Sequence, residues 1–414
     1  MLKVGIIGVG TVGTSVIKNI QKHKELLKKR TGKEIEIVKG VVKNIDKKRD
    51  IDIPLTTDYK EITEDKEIDV VIELIGGVEK AYEIVKDALK NKKAVITANK
   101  ALLAYHRFEL EKIASTPLLY EASVAGGIPI IKALKEGLSS NEIVEIKGII
   151  NGTCNYILTE MKKNREYNEV LKEAQNLGYA EADPTFDVGG FDAAHKLLIL
   201  ASIAYNIDAK PEDIIIEGIE NIKNIDMEFA KEFGYEIKLL AIAKKSDTQI
   251  ELRVHPTMIK KDEMIAKVDG VMNAVSIIGD VVGETMYYGP GAGGDATASA
   301  VISDLVDIAR GNNTPMLGYV SKETKFSIKN SNEIESKYYL RINVKDEIGI
   351  LEKVANILAQ NSISVETFLQ KPFDNFAKLL FSTHLSVEKN IKNAIKEIKK
   401  LSCVNDVNFI RIEE

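Results

Sequence analysis

The sequence contains no tryptophan and only two cysteines in 414 residues. Cys154 and Cys403 lie far apart, so they form neither a disulfide framework nor a Cys-x-x-Cys pair. No run approaches the roughly 18 apolar residues of a membrane-spanning helix. An excess of either charge is also missing. Lys and Arg total 57 against 62 Asp and Glu, a formal net charge of -5, which argues against a general nucleic-acid binder. The opening MLKVGIIGVG has one short apolar run before glycines break it, too short for a signal peptide. A soluble, cytoplasmic protein without a membrane or nucleic-acid partner is therefore expected. Low-complexity segments and solenoid repeats are lacking as well. What is present is a globular composition, 44% apolar and 29% charged. Lys, Ile and Glu are abundant, a weak thermophile-like bias. At roughly 100–200 residues per domain, the length predicts two to four domains.

The first 130 residues alternate short apolar runs with helical patterns. Strands are predicted at Val4–Ile7, Ile35–Val42, Asp69–Leu74 and Ala94–Thr97, with another ending over Leu118–Glu121. Helices are predicted over Thr14–Leu27 and Ala81–Asn91. This interleaving predicts a right-handed parallel βα sheet. From Ile143 the pattern becomes mixed, with longer strands at Ile143–Ile150 and Glu251–Pro256. Helices are expected at Asn168–Leu177 and Asp192–Ala204. A helical run over Ala296–Arg310 follows a glycine-rich turn, and a helix within 296–315 is expected to pack back on the first domain. Residues 311–336 read as connection. The last 78 residues, 337–414, give a βαββαβ order. The fold class is thus α/β: an N-terminal Rossmann-type parallel sheet, an α+β middle domain and a C-terminal βαββαβ unit.

Gly8-Val9-Gly10-Thr11-Val12-Gly13 follows a strand and opens a helix. Gly8 permits the tight turn, Gly10 lets backbone approach a pyrophosphate, and Gly13 allows close strand–helix packing. The helix N-terminus would face the phosphates. At the end of the second strand stand Lys43 and Asn44, where an NAD enzyme would carry an acid on the ribose hydroxyls. A cation there favours the 2′-phosphate of NADP over NAD, although Asp46 is close by and Lys43 also reads as an ordinary solvated lysine.

The densest chemistry lies in GYAEADPTFDVGGFDAAHK, from Gly178 to Lys196. It holds Glu181, Asp183, Asp187 and Asp192, and ends in Lys196. Asp183-Pro184 is expected to stop a preceding helix. Asp192 and Lys196 are four apart on a predicted helix and share a face. Helix statistics alone would make them a surface ion pair. The surrounding acids and glycines argue for more.

This segment resembles the signature of homoserine dehydrogenase position for position. The resemblance extends over Gly8–Gly13, Glu73-Leu74-Ile75-Gly76-Gly77 and Thr97-Ala98-Asn99-Lys100. It continues through Tyr120–Pro129, Gly148–Tyr156 and Gly289-Pro290-Gly291-Ala292-Gly293, in order, to about residue 320. The resemblance implies NAD(P)-dependent interconversion of L-homoserine and L-aspartate 4-semialdehyde, in threonine, methionine and isoleucine biosynthesis. By the same analogy Lys196, Lys100 and Asp192 are catalytic. Glu181, Asp187, Asp192 and Gly152 would bind the substrate, the acids facing its ammonium. Gly8, Gly10, Thr11, Val12, Gly13, Lys43, Ile75, Gly76, Lys100, Gly178, Glu181 and Gly293 would bind the cofactor. Glu121, with the carbonyls of Val124, Gly126 and Ile128, resembles a monovalent cation site for sodium; the same segment also reads as a plain hinge. Asn151-Gly152-Thr153 reads as a turn lining the cleft. Cys154 reads as a buried small residue, and His195, on another helix face, receives no role.

Residues 337–414 resemble an ACT domain, a regulatory unit that often binds amino acids. The cue is Asp346-Glu347-Ile348-Gly349-Ile350-Leu351, a DxxGxL turn before a helix. The expected domains are 1–130 for NAD(P) binding, 131–320 for catalysis and dimerisation, and 337–414 for an amino-acid effector. The tail could equally serve only for pairing, and a homodimer or higher homo-oligomer is expected. As a separate unit it should detach without destroying the core. Two other readings share the scaffold: another semialdehyde dehydrogenase, or a sensor of nucleotide and amino acid. The presence of both Asp192 and Lys196 favours the enzyme.

Overall fold

The structure, a computed structural model, describes residues 1–321, 323–373 and 376–413. Elements are numbered in chain order. The chain opens with β1 (Leu2–Ile7), α1 (Thr11–Lys22), α2 (Lys24–Thr31), β2 (Ile35–Val41), β3 (Leu55–Thr56) and α3 (Lys60–Thr63). It continues through β4 (Val70–Glu73), α4 (Glu79–Lys90), β5 (Ala94–Thr97), α5 (Lys100–Ile113) and β6 (Leu118–Leu119). These strands form a parallel sheet in the order β3-β2-β1-β4-β5-β6, the order of a doubly wound dinucleotide-binding fold. β1 and β4 carry continuous apolar runs because both faces of the sheet are covered by helices.

Next come α6 (Ile130–Lys132), β7 (Ile143–Ile149), α7 (Gly152–Met161), α8 (Tyr167–Asn176), α9 (Thr185–Val188) and α10 (Phe191–Tyr205). They are followed by β8 (Ile215–Ile216), α11 (Asn224–Glu232), β9 (Tyr235–Ser246), β10 (Gln249–Lys260), β11 (Met272–Gly279), β12 (Gly283–Pro290) and α12 (Gly294–Arg310). The tail holds β13 (Ser327–Ile328), β14 (Glu335–Lys345), α13 (Ile350–Gln360), β15 (Val365–Phe373), β16 (Phe376–Thr383), β17 (Ser386–Val387), α14 (Glu388–Ile398) and β18 (Val404–Glu413). Among the described residues no helix is long and apolar enough to cross a membrane.

The described chain divides into two units. The first comprises Met1–Gly152, Asp192–Asp213 and Val271–Phe326. It holds the parallel sheet, α10, α12 and the antiparallel strands β12-β11-β7. α12 packs on the parallel-sheet core: Ala298, Val301, Leu305 and Ala309 join Val16, Ile17, Ile20 and Ile72 in one apolar cluster. Burial of Val301 and Leu305 contributes about 1.5–3 kcal/mol each. α12 ends at Arg310, short of residue 315, because Gly311 turns into the left-handed region (φ 80°).

The second unit comprises Thr153–Phe191, Ile214–Gly270 and Ser327–Glu414. Its C-terminal portion is an ACT domain with strand order β18-β14-β16-β15, its helices α13 and α14 sharing one core with the sheet. This domain does not stand alone. β18 continues in parallel pairing onto β10, matching Thr257 with Arg411 and Ile259 with Glu413. Buried ion pairs flank the seam. Arg411 makes a bidentate pair with Glu217 at 2.8 Å, and Arg341 Nε lies 2.8 Å from Asp226. Arg253 Nη1 lies 2.5 Å from Glu413. This seam bears on the expectation of a detachable tail, since residues on both sides pair charges across it.

Local differences have local causes. The single helix expected over Thr14–Leu27 is two, broken at His23, and the second buries only Leu27. Asn151-Gly152-Thr153 is the start of α7 and not a turn, since Cys154, Ile157, Leu158 and Met161 supply a buried helical stripe behind the Asn-Gly signal. The helix before Pro184 has already stopped at Asn176, with Gly178 left-handed (φ 77°), and Pro184 precedes the short α9 instead. Residues 311–336 include β13, which pairs with β10.

Candidate active site

Lys100, Asp192 and Lys196 come together in the first unit. Lys100 begins α5 directly beyond β5, at the carboxyl end of a parallel strand where ligands bind in open sheets. Asn99 sets this start: its side chain accepts from Leu102 N at 3.0 Å and donates to the Gly77 carbonyl at 2.6 Å. Asp192 and Lys196 lie one turn apart in α10. Asp192 is only 3% exposed. Its Oδ1 is 2.9 Å from Lys100 Nζ and its Oδ2 is 2.8 Å from Lys196 Nζ. Lys196 Nζ also donates to the Ile150 carbonyl at 2.7 Å. A solvated surface pair is therefore ruled out by burial. Desolvation alone would push the Asp192 carboxyl up, but the charges and hydrogen bonds of Lys196 and Lys100 outweigh it and hold it below the ordinary carboxylate range. Chemically, this is an ammonium gripped by a carboxylate and a carbonyl, able to exchange a proton with a substrate oxygen. His195 packs edge-on against Tyr105, and burial lowers its pKa, so it is neutral at pH 7.

The nucleotide loop is built from close approaches. A side chain at Gly8 (φ 105°) would lie 2.7 Å from the Leu74 carbonyl, and one at Gly13 would lie 2.2 Å from the Gly8 oxygen. Gly10 by contrast faces open space and caps α1 without any side-chain hydrogen bond, so the first amides of α1, at Thr11 and Val12, have no side-chain cap. A cavity of about 530 Å³ opens here, lined by Gly8, Gly10, Lys43, Lys47, Arg49 and Ile75 among others. Three cations thus gather at the end of β2. Arg49 folds back to donate to the Val9 carbonyl at 3.2 Å and the Lys47 carbonyl at 2.8 Å. Beside Ile75 the chain turns through Gly76 and Gly77, both left-handed. Buried Glu73 fixes that turn by accepting from Ile75 N at 2.8 Å and Thr97 Oγ1 at 2.6 Å. The glycine turn at Gly293 brings α12 against α1, with Gly294 near Thr11 and Asp295 accepting from Ser15.

Glu121, Val124, Gly126 and Ile128 are buried on one loop of the same unit. A side chain at Gly126 would lie 2.5 Å from the Gly291 oxygen, so this loop packs backbone to backbone on the Gly289–Gly293 turn. Glu121 accepts from Ile131 N and Lys132 N at 2.9 Å each, one per carboxylate oxygen. Burial pushes its pKa up to about 7. Each carboxylate oxygen has a second acceptor position, and oxygen is the ligand type that a hard cation takes. The Ile128 carbonyl already accepts from Ile130 N at 2.8 Å.

Gly178, Glu181 and Asp187 belong to the second unit. Gly178 is left-handed and follows α8, Glu181 is exposed, and Asp187 is half-buried in α9 with its carbonyl 3.2 Å from Cys154 Sγ. Gly152, at the start of α7, is in the first unit, where a side chain would lie 2.7 Å from the Val271 oxygen. Sequence reasoning gives no role to Lys47, Arg49 or Asn99, and it places Asn151 only in a turn lining the cleft. The Lys-Lys-Arg run at 47–49 was the available signal for the first two; Asn99 and Asn151 lay inside recognised motifs but revealed their hydrogen bonds only in three dimensions.

Residues 8–117 match the family model for the homoserine dehydrogenase NAD binding domain, 129–306 that for homoserine dehydrogenase, and 338–403 that for the ACT domain. A homoserine dehydrogenase of Helicobacter pylori is 55% identical, the alignment covering 100% of this chain and 99% of that one. Another from Bacillus subtilis is 42% identical over 98% and 96% of the two chains. The crystal structure of a homoserine dehydrogenase from Thiobacillus denitrificans superposes with a TM-score of 0.95 at 44% identity, covering 100% of this chain and 98% of that one. A hyperthermophilic archaeal homoserine dehydrogenase, solved in complex with NADPH, gives a TM-score of 0.63 at 26% identity over 74% of this chain and 97% of its own. The sensor reading is not favoured by these full-length dehydrogenase relatives. The chain belongs to the homoserine dehydrogenase family, oxidoreductases that act on a CH–OH group with a nicotinamide cofactor.

Proposed function

We propose that Lys196 donates the proton to the C4 oxygen when L-aspartate 4-semialdehyde is reduced to L-homoserine, and removes it in the reverse direction. The observation that carries this is the half-buried Lys196 ammonium, fixed between Asp192 and the Ile150 carbonyl. A bound reduced nicotinamide supplies the hydride. Asp192 orients Lys196 and, with Lys100, keeps the local charge paired. Glu181 and Asp187 bind the substrate ammonium, with Gly152 giving close backbone approach. The assignment of Glu181, Asp187 and Gly178 rests on the family pattern.

The cofactor reading we favour is NADP. Lys43, Lys47 and Arg49 converge at the end of β2, and an ammonium or guanidinium there stabilises a 2′-phosphate. The variant Lys43→Asp is expected to lower the NADP-to-NAD ratio of kcat/KM about 10-fold or more, since a charge-assisted bond is lost and the new carboxylate repels the phosphate. Parallel kinetics with both cofactors measure it; an unchanged ratio removes Lys43 from the 2′ site. In the same series Glu181→Ala should raise the homoserine KM and leave the cofactor Kd alone. A normal KM with a fallen kcat would contradict the ammonium role.

Glu121 and the carbonyls of Val124, Gly126 and Ile128 would hold a sodium ion that braces this loop. The ACT domain would take an amino-acid effector, threonine most naturally, near the left-handed Gly349 that opens α13 (φ 83°). The three-part organisation into residues 1–130, 131–320 and 337–414 is read as cofactor, catalytic and regulatory portions of a cytoplasmic homo-oligomer. Initial rates with and without sodium, and with millimolar threonine, methionine or isoleucine, check the cation and the effector. No response to any of these amino acids would leave the tail as an assembly module.

A further inference from the structure

Ile150 and Asn151, the two residues that link β7 to α7, join the Lys196 site and grip both members of the ion pair. The Ile150 carbonyl accepts from Lys196 Nζ at 2.7 Å. Asn151 Nδ2 donates to Asp192 Oδ2 at 2.8 Å, the same oxygen that receives Lys196. Asn151 is 5% exposed and Asp192 3%, so neither bond is diluted by solvent. Asp192 Oδ1 is meanwhile occupied by Lys100 at 2.9 Å.

We infer that Asn151 is a positioning residue for proton transfer: with the Ile150 carbonyl it locks the Asp192–Lys196 pair so that one Lys196 N–H points at the substrate oxygen. An ammonium has three N–H bonds in tetrahedral array. Two of them are committed, to Ile150 and to Asp192, so the direction of the third is fixed. That direction is only as well defined as the carboxylate plane of Asp192. A carboxylate held by lysines alone can swivel about its last torsion, because lysine is a flexible point charge. The Asn151 amide is short, neutral and anchored at a strand end, and it fixes the plane without adding charge. Among the described residues of the first unit, Asp192 on its own helix pairs with Lys196, and Lys100 from α5 and His195 lie beside Asp192. Ile150 and Asn151 add none.

The inference rests on Lys196 being the proton-transfer group, and the test separates the two. In the full-length enzyme, Asn151→Ala is expected to lower kcat about 10²-fold, the cost of a misplacement near 1 Å, with the cofactor Kd unchanged. Asn151→Asp keeps the shape but sets a second carboxylate against Asp192. Two carboxyls at that distance share a proton at low pH; once both ionise, the added negative charge favours the protonated amine, so the pH midpoint of homoserine oxidation should move upward. A loss caused only by misfolding would lower the active fraction and leave the pH midpoint in place, and that result would overturn the inference. So would normal kcat and an unmoved midpoint in both variants while Lys196→Met is inactive. An active Lys196→Met would instead overturn the proton-transfer reading, and this one with it. Should Asn151→Asp fail to fold, Asn151→Ser, which keeps a short donor, must retain more kcat than Asn151→Ala; equal losses in the two overturn it.

Discussion

Lys196→Met is expected to reduce kcat about 10²–10⁴-fold while the protein still folds and binds its cofactor. Methionine fills a similar volume and reaches a similar length, but it has no proton to exchange. Two consequences accompany the loss. Asp192 retains Lys100 at 2.9 Å and Asn151 at 2.8 Å, so its buried charge is still compensated and the helix should not unfold. The Ile150 carbonyl loses one donor, which is a modest cost of about 1 kcal/mol. Thermal melting and cofactor titration beside steady-state kinetics distinguish chemistry from folding. More than about a tenth of the wild-type kcat in a well-folded variant would remove Lys196 from the proton path.

Deletion of residues 337–414 is expected to destroy the second unit and not merely its regulation. The tail supplies partners for Asp226 and Arg253, which are buried in that unit, and for Glu217, which is half-buried. Without it Asp226 loses Arg341 and the Tyr339 hydroxyl, both at 2.8 Å. Glu217 loses both its bonds to Arg411, and Arg253, 1% exposed, loses Glu413. Breaking a fully buried pair by removing one partner costs about 3–5 kcal/mol, which applies to Asp226; Glu217 is half-buried and Arg253 keeps Glu251 at 3.4 Å, so their losses cost less. β10 would in addition present an unpaired edge where β18 now lies. The truncated chain should be insoluble or lack a cooperative unfolding transition by circular dichroism. A soluble truncation with wild-type kcat would show that the seam is dispensable, and the tail would then be a free regulatory module after all.

The difference between those two expectations for the tail shows where sequence reading stops. The βαββαβ order and the DxxGxL turn are local: alternating apolar residues in β14 and a helical stripe in α13 repeat within a few residues, and Gly349 alone can hold the left-handed helix entry. The parallel pairing of β18 with β10 joins segments about 150 residues apart and leaves no periodic trace in either. Arg341 and Arg411 read as surface residues on composition alone, because only the partner carboxylates make their burial tolerable.

The same division runs through the active site. Residue types and short spacing were enough for the nucleotide loop, where the glycines are forced by close backbone approach within one βα turn. They were enough also for the Asp192–Lys196 pair, which follows from one helical turn. The family assignment likewise came from ordered motifs in the chain. The convergence of Lys100 from α5 and Asn151 from just beyond β7 on the Asp192 carboxylate of α10 required the folded sheet. So did the gathering of Lys43, Lys47 and Arg49 around one cavity and the two backbone amides that close on Glu121. A side chain's identity fixes which bonds it can make, whereas its partner is chosen by long-range packing that brings distant backbone segments within about 3 Å of one another.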